Sequence, residues 1–247
     1  MTYLHSGLFI LHVLVGSMAL LLFWIPTMNR KGSLDHRRFG RYYSVAMYTV
    51  AFSGAMMALL VLWDPIAIKG HLRRADTSIE QFSQAIRAFW YFLLYLSLIT
   101  FVSVRQGNAV LRHKTNRIAL RQWHYQAPLL VLPCAALMSL YLGITRQHTL
   151  LIIFAGLGLF IAFGMLRYCW AKQVHAKAWL VEHLGAMIGS GIGAHTAFLA
   201  FGGRQLISEF GQWQTLFWVA PGIIGGIAIA RLSRRYTPAP KQHQEAV

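Results

Sequence analysis

The sequence predicts an all-α fold, a polytopic membrane bundle of seven transmembrane helices with its N-terminus outside and its C-terminus inside. Three observations carry that expectation. The first is composition: of 247 residues, 56% are hydrophobic and only 12% charged, and the mean hydropathy of +0.48 lies outside the usual range of a soluble domain this long. The second is length. A span needs about 20 mostly apolar residues, and seven windows qualify, at roughly 5–26, 42–63, 85–104, 123–143, 149–166, 179–202 and 213–231. The third is the placement of charge: 17 of the 23 Lys and Arg fall in NRKGSLDHRRFGR, RQGNAVLRHKTNRIALRQ, RYCWAKQVHAK and RLSRRYTPAPKQHQ, which lie on one side when the windows alternate. By the positive-inside rule that side is cytoplasmic.

Taken in order, the first window begins MTYLHSGLFILHVL, which has no basic n-region and no cleavage site before the apolar run continues, so it is expected to remain as the first span. The second follows a basic, Gly-containing turn. The third follows the longest exterior loop, DPIAIKGHLRRADTSIEQFSQ, where SIEQ reads as an N-cap for the third helix or for a short surface helix before it. The fourth carries Pro128 and Pro133. The fifth is short and follows the turn GITRQH closely, so a re-entrant segment would reduce the count to six. The sixth is rich in glycine and the seventh contains PGIIGG. Residues 1–236 therefore form one transmembrane domain, and TPAPKQHQEAV, 237–247, reads as a disordered cytoplasmic tail. Cys134 falls in an apolar segment and Cys169 in what reads as a cytoplasmic turn, so both are expected as free thiols.

The formal charge of +16 raises the question of nucleic acid, but its confinement to membrane-edge loops points to topology and to contact with anionic lipids instead. Phosphate loops, HExxH, paired-cysteine metal motifs and nucleophile elbows are absent from the sequence, which excludes the familiar soluble hydrolase and nucleotide chemistries.

The chemistry-bearing candidates are histidines. His5 and His12 are seven residues apart in the first helix, and His195 lies near the outer end of the sixth, so His12 and His195 can face each other at one depth as metal or haem ligands. On the inner side His36 opens the second helix, His124 the fourth, and His183 stands beside Glu182 near the start of the sixth. His183 and His195 are separated by about 18 Å of helix rise, a spacing suited to two cofactors near opposite faces, although about 120° of rotation separates them. The competing expectation for His12 and His195 is a hydrogen bond to a carbonyl or hydroxyl, with Thr196 or Ser17 nearby; for His36 it is loop capping. Gly185, Gly189, Gly193 and Ala197 recur at every fourth residue, which gives room for a macrocycle or for an ordinary close helix contact. Glu182 is a candidate proton relay. Met47, Met56 and Met57 read as packing, and His71, His113, His148, His175 and His243 sit in loops or the tail without an assigned role.

The order HVLVGSMALL followed by KGSLDHRRFGRYYSVAM resembles a widespread bacterial family of multi-pass membrane proteins catalogued as a domain of unknown function, and HLGAMIGSGIGAHTAFLAF is similar to its later spans. The resemblance puts His12, Gly16, Lys31, Gly32, His36, Arg37, Gly40 and Arg41 on matching positions. It implies the bacterial inner membrane and about six to eight spans, and no settled activity.

Two functions are expected from these residues. One is a b-type cytochrome-like redox protein, a membrane oxidoreductase, with haem b held by His12 and His195 and by the group of His124, His183 and His36, exchanging electrons with a quinone or a redox partner protein. The other is a non-redox transporter or accessory module that uses the His/Glu cluster for a proton or a transition-metal ion. A zinc-dependent hydrolase built on His36, His124, His183 and Glu182 ranks below both.

Overall fold

The computed structural model describes residues 1–203 and 214–237. Seven of its helices are long and apolar enough to span a membrane: α1 (Thr2–Met28), α2 (Leu34–Trp63), α4 (Ile79–His113), α5 (Trp123–Thr145), α6 (Thr149–Trp170), α7 (Ala178–Ala197) and α8 (Gln214–Arg234). The short α3 (Pro65–Lys69) lies between α2 and α4, and two 3-10 turns occupy Gly70–Leu72 and Arg117–Arg121. Past Ala197 the helix α7 loosens into a π turn, Phe198–Gly203. Among the described residues there is no strand. The chain is a multi-pass helical membrane bundle. All but the first residue of the expected tail, and with it His243, lies outside the described residues.

Several expectations shift at the boundaries. The fifth window is a continuous helix of 22 residues packed along α5, and it counts among the seven helices long and apolar enough to span a membrane in the described residues. Ser78 caps α4 directly by accepting the Gln81 amide at 3.1 Å, while the short surface helix forms earlier, at Pro65–Lys69, where Asp64 accepts the Ala67 amide at 2.9 Å. Helix α4 has 35 residues, about 52 Å at 1.5 Å per residue. That exceeds a hydrocarbon core of about 30 Å, so its last turns stand clear of the apolar window that marked it in the sequence. Cys169 belongs to the last turn of α6 and is fully buried, not in a turn. Cys134 is exposed, and both thiols are free.

Helix α4 is the organising element, with α2, α5 and α7 against it, α1 outside α2, α6 outside α5 and α8 outside α7. The larger core joins Phe92, Tyr95, Leu132, Leu151, Ala162 and Trp218; a smaller one joins Ala19, Tyr43, Ala46, Met47 and Val104. Most other large apolar side chains of α1, such as Phe9, Leu14 and Leu21, are exposed, as a helix solvated by lipid requires.

The glycines of α7 behave differently from their four-residue repeat. Added methyl groups at Gly189 or Gly193 would meet nothing within 4 Å, whereas one at Gly191 would overlap the Phe23 ring of α1. Close approach is needed off the repeat, at Gly191, because an aromatic ring rests on its backbone.

Candidate functional site

The turn between α1 and α2 explains much of the KGSLDHRRFGR segment. Helix α1 ends with unpaired carbonyls, as every helix does. Lys31 donates from Nζ to the Pro26 and Thr27 carbonyls at 3.1 and 2.7 Å, and His36 donates from Nδ1 to the Pro26 carbonyl at 2.9 Å. Gly32 reaches φ of +82°, a left-handed conformation that glycine adopts at little cost. Ser33 caps the start of α2 by accepting the His36 amide at 3.2 Å. Partial desolvation beneath the helix end lowers the Lys31 pKa from the ordinary lysine value. His36→Ala is expected to cost about 1 kcal/mol through the lost hydrogen bond, visible as a lower melting temperature in detergent with unchanged helical content.

At the same end of the bundle, α4, α5 and α7 enclose a polar chain. Gln106, 1% exposed, donates from Nε2 to Oε1 of Glu182 at 2.6 Å. The Tyr125 hydroxyl donates to the other end of the same amide, Gln106 Oε1. Arg105 holds the start of α5 by donating to the Tyr125 and His124 carbonyls at 3.0 and 2.9 Å, and its guanidinium lies 4.6 Å from the Tyr125 ring centroid. Val102, Arg105, Gln106, Tyr125 and Leu129 line a cavity of about 10 Å³ beside this chain, close to the smallest volume that accommodates one water molecule. Tyr168 and Cys169 of α6 lie within electrostatic range of Glu182, and the Tyr168 hydroxyl is buried without a hydrogen-bond partner. Asp35 and Glu80 occupy first turns of their helices. Glu182 is thus the one acidic side chain, among the described residues, set deeper than a first turn of a spanning helix.

The histidines separate from one another. His12 shares a hydrogen bond of 3.0 Å between Nδ1 and the Ser53 hydroxyl. His195 donates from Nδ1 to the Gly191 carbonyl at 2.8 Å and accepts the Trp24 indole N–H at Nε2, at 3.2 Å. Trp24 is twelve residues beyond His12 on α1, about 18 Å along the axis. The two rings expected to face each other as metal or haem ligands thus have different partners at different depths, and the Nε2 lone pair of His195 is engaged by Trp24. Their partners are a hydroxyl and a carbonyl, as the simpler expectation held, but neither Ser17 nor Thr196 supplies them.

The inner trio is divided as well. His183 donates from Nδ1 to the Gly107 carbonyl at 2.8 Å and lies within electrostatic range of His36 and Lys31. His124 is exposed, and its backbone carbonyl rather than its ring is what Arg105 binds. The structure thus brings His36 and His183 to one neighbourhood and leaves His124 out of it. Because a carbonyl can only accept, Nδ1 carries the proton in His36 and His183, and in their neutral form Nε2 keeps its lone pair. No three His, Cys, Asp or Glu side chains converge to hold a metal ion among the described residues, so the zinc hydrolase arrangement does not form.

Gln106 and Tyr125 were missed by sequence reasoning. The third apolar window closes at residue 104, which put Gln106 in a loop, and Tyr125, inside the fourth window, carried no signal of its own.

These features define a polytopic helical membrane protein with a buried polar chain at the end where its basic loops gather. Compared with known protein families, characterised proteins and solved structures, the chain has no significant match.

Proposed function

We propose that this protein is a proton-handling module of the bacterial inner membrane, a proton-coupled transporter or an accessory membrane subunit, with its basic end in the cytoplasm and Glu182 as the group that takes up and releases the proton. The observation that carries this reading is the chain Tyr125–Gln106–Glu182. A carboxyl group set inside a spanning helix is costly and marks function by default; here one of its oxygens is held by an amide whose own acceptor is filled by a phenol. Gln106 can donate to Glu182 in either protonation state, because the protonated acid keeps a carbonyl oxygen as acceptor. The site therefore keeps its geometry as the proton comes and goes. The unpartnered hydroxyl of Tyr168 lies within electrostatic range of Glu182, and a water-sized cavity lies beside Gln106. We also propose membership of the uncharacterised family that the N-terminal segment resembles, with the Lys31–Arg41 motif serving to cap α1 and start α2.

The test is a flux measurement. Purified protein in proteoliposomes with an internal pH-sensitive dye is expected to dissipate an imposed pH gradient, and Glu182→Gln is expected to slow this at least tenfold while leaving the melting temperature within a few degrees. Wild-type vesicles no more permeable to protons than empty ones would sink the conducting form of the proposal.

A second reading, haem b between His36 and His183, is favoured by one observation. Both rings are oriented through Nδ1 by backbone carbonyls, the arrangement that presents Nε2 to a metal. A haem bound there would supply one-electron transfer, to a quinone or a redox partner. A reduced-minus-oxidised absorption spectrum of the purified protein separates the readings, since a stoichiometric haem band lost in His183→Ala belongs to the redox one alone.

A further inference from the structure

Helix α6 hands over to α7 through residues 171–177, and α4 hands over to the 3-10 turn through residues 114–116. These two connections face each other across an open cavity of about 380 Å³, lined by Lys114, Thr115, Arg117, Lys172, His175 and Trp179, among other residues. Three of those side chains are permanent cations, and no acidic side chain lines the cavity. Repulsion among like charges normally spreads lysines apart, so concentrating them on one concavity without a counter-charge creates a local positive potential that attracts anions.

Two features make this more than a crowd of surface lysines. Arg117 is fixed: Nη1 donates to the Tyr168 and Ala171 carbonyls at 2.9 and 2.7 Å, and Nη2 donates to the Lys172 carbonyl at 3.4 Å. Lys114 is held with Nζ 5.0 Å from the centroid of the Trp179 ring. Two of the three cations lining the cavity are therefore held in place rather than free. Trp179, the ring that holds Lys114, lies in the first turn of α7.

We infer that this cavity binds a phosphate-bearing anion. A tetrahedral phosphate accepts several hydrogen bonds at once and suits a cluster of lysine ammonium groups. The source favoured by the surroundings is a phospholipid headgroup, because exposed Trp123 and Trp170 stand at the same end of the bundle and tryptophan concentrates at the headgroup level. A free phosphate compound presents the same chemistry. The site is independent of the Glu182 reading.

The experiment is native mass spectrometry of the purified chain released from detergent with phosphatidylglycerol or phosphatidylcholine, repeated with 10 mM inorganic phosphate as competitor, roughly tenfold above a millimolar dissociation constant. Wild-type protein is expected to retain phosphatidylglycerol at least tenfold better than the Lys114→Ala/Lys172→Ala double variant, while Arg74→Ala, in the loop at the opposite bundle end, retains it as wild type does. Retention that survives phosphate identifies the lipid headgroup as ligand; retention displaced by phosphate, together with a phosphate-dependent rise in melting temperature lost in the double variant, identifies a soluble phosphate. Equal phosphatidylglycerol retention in wild type and the double variant, with no phosphate effect on melting, overturns the inference. Should the double variant fail to fold, Lys172→Gln decides on the same readouts, with an expected loss of about threefold and no loss counting against the site.

Discussion

Gln106→Leu is expected to lower the unfolding free energy by about 2–4 kcal/mol, since a buried polar group left without its partner costs about 1–3 kcal/mol and this substitution orphans two of them. The Glu182 carboxyl loses the amide that donates to it and the Tyr125 hydroxyl loses its acceptor, while the leucine repays part of the loss by packing. The same reasoning predicts a rescue. Removing the demand at both ends, in Gln106→Leu/Glu182→Leu/Tyr125→Phe, is expected to restore most of the stability, because an apolar trio has nothing to satisfy. Unfolding of the single, double and triple variants in mixed detergent micelles gives the coupling directly. Additive losses across the series would mean that the three side chains do not act as one chain.

Gly158→Leu is the second large effect. A Cβ at this position would overlap the Tyr95 hydroxyl, which donates to the Phe154 carbonyl at 2.8 Å from a residue 1% exposed. The ring has no second place to go within the core it shares with Phe92 and Leu132, so α6 must move away from α4. A loss of about 2–4 kcal/mol is expected, combining overpacking of about 1–3 kcal/mol with a broken hydrogen bond of about 1 kcal/mol. The control lies two residues away. An added Cβ at Gly156 would meet nothing within 4 Å, so Gly156→Leu on the same helix is expected to change the melting temperature little. Equal losses at the two glycines would point to helix propensity or lipid contact rather than to the Tyr95 lock.

The spans were legible in the sequence because hydropathy over about 20 residues is a strong, local signal, and even the short fifth window proved sufficient for a full helix. Helix ends were less legible. The turns of α2 before Tyr42 and of α4 after Val104 carry Arg, His, Gln and Asn, which an apolar window rejects, although caps and tertiary contacts keep them helical. That same rejection concealed Gln106, and with it the link between Glu182 and Tyr125. Pairing of the histidines was not legible at all. His12 and His195 look level when depth is counted along each helix separately, but the count ignores crossing angle and side-chain direction, which carry the His195 ring toward Trp24. Glu182 and His36 were legible in part: a carboxylate in an apolar stretch and a histidine beside Lys31 and Gly32 each stand out locally. What Lys31 and His36 cap was not, since the carbonyl they share belongs to a residue ten positions before His36.

Because Lys31 and His36 close the end of α1 from within the α1–α2 hairpin, the partners for those terminal carbonyls are synthesised within a few residues of them. His12 likewise finds Ser53 inside the same pair of helices. A nascent chain can therefore meet the terminal carbonyls of α1 before α4 is synthesised. The later helices then pack against a pair whose connecting end is already closed.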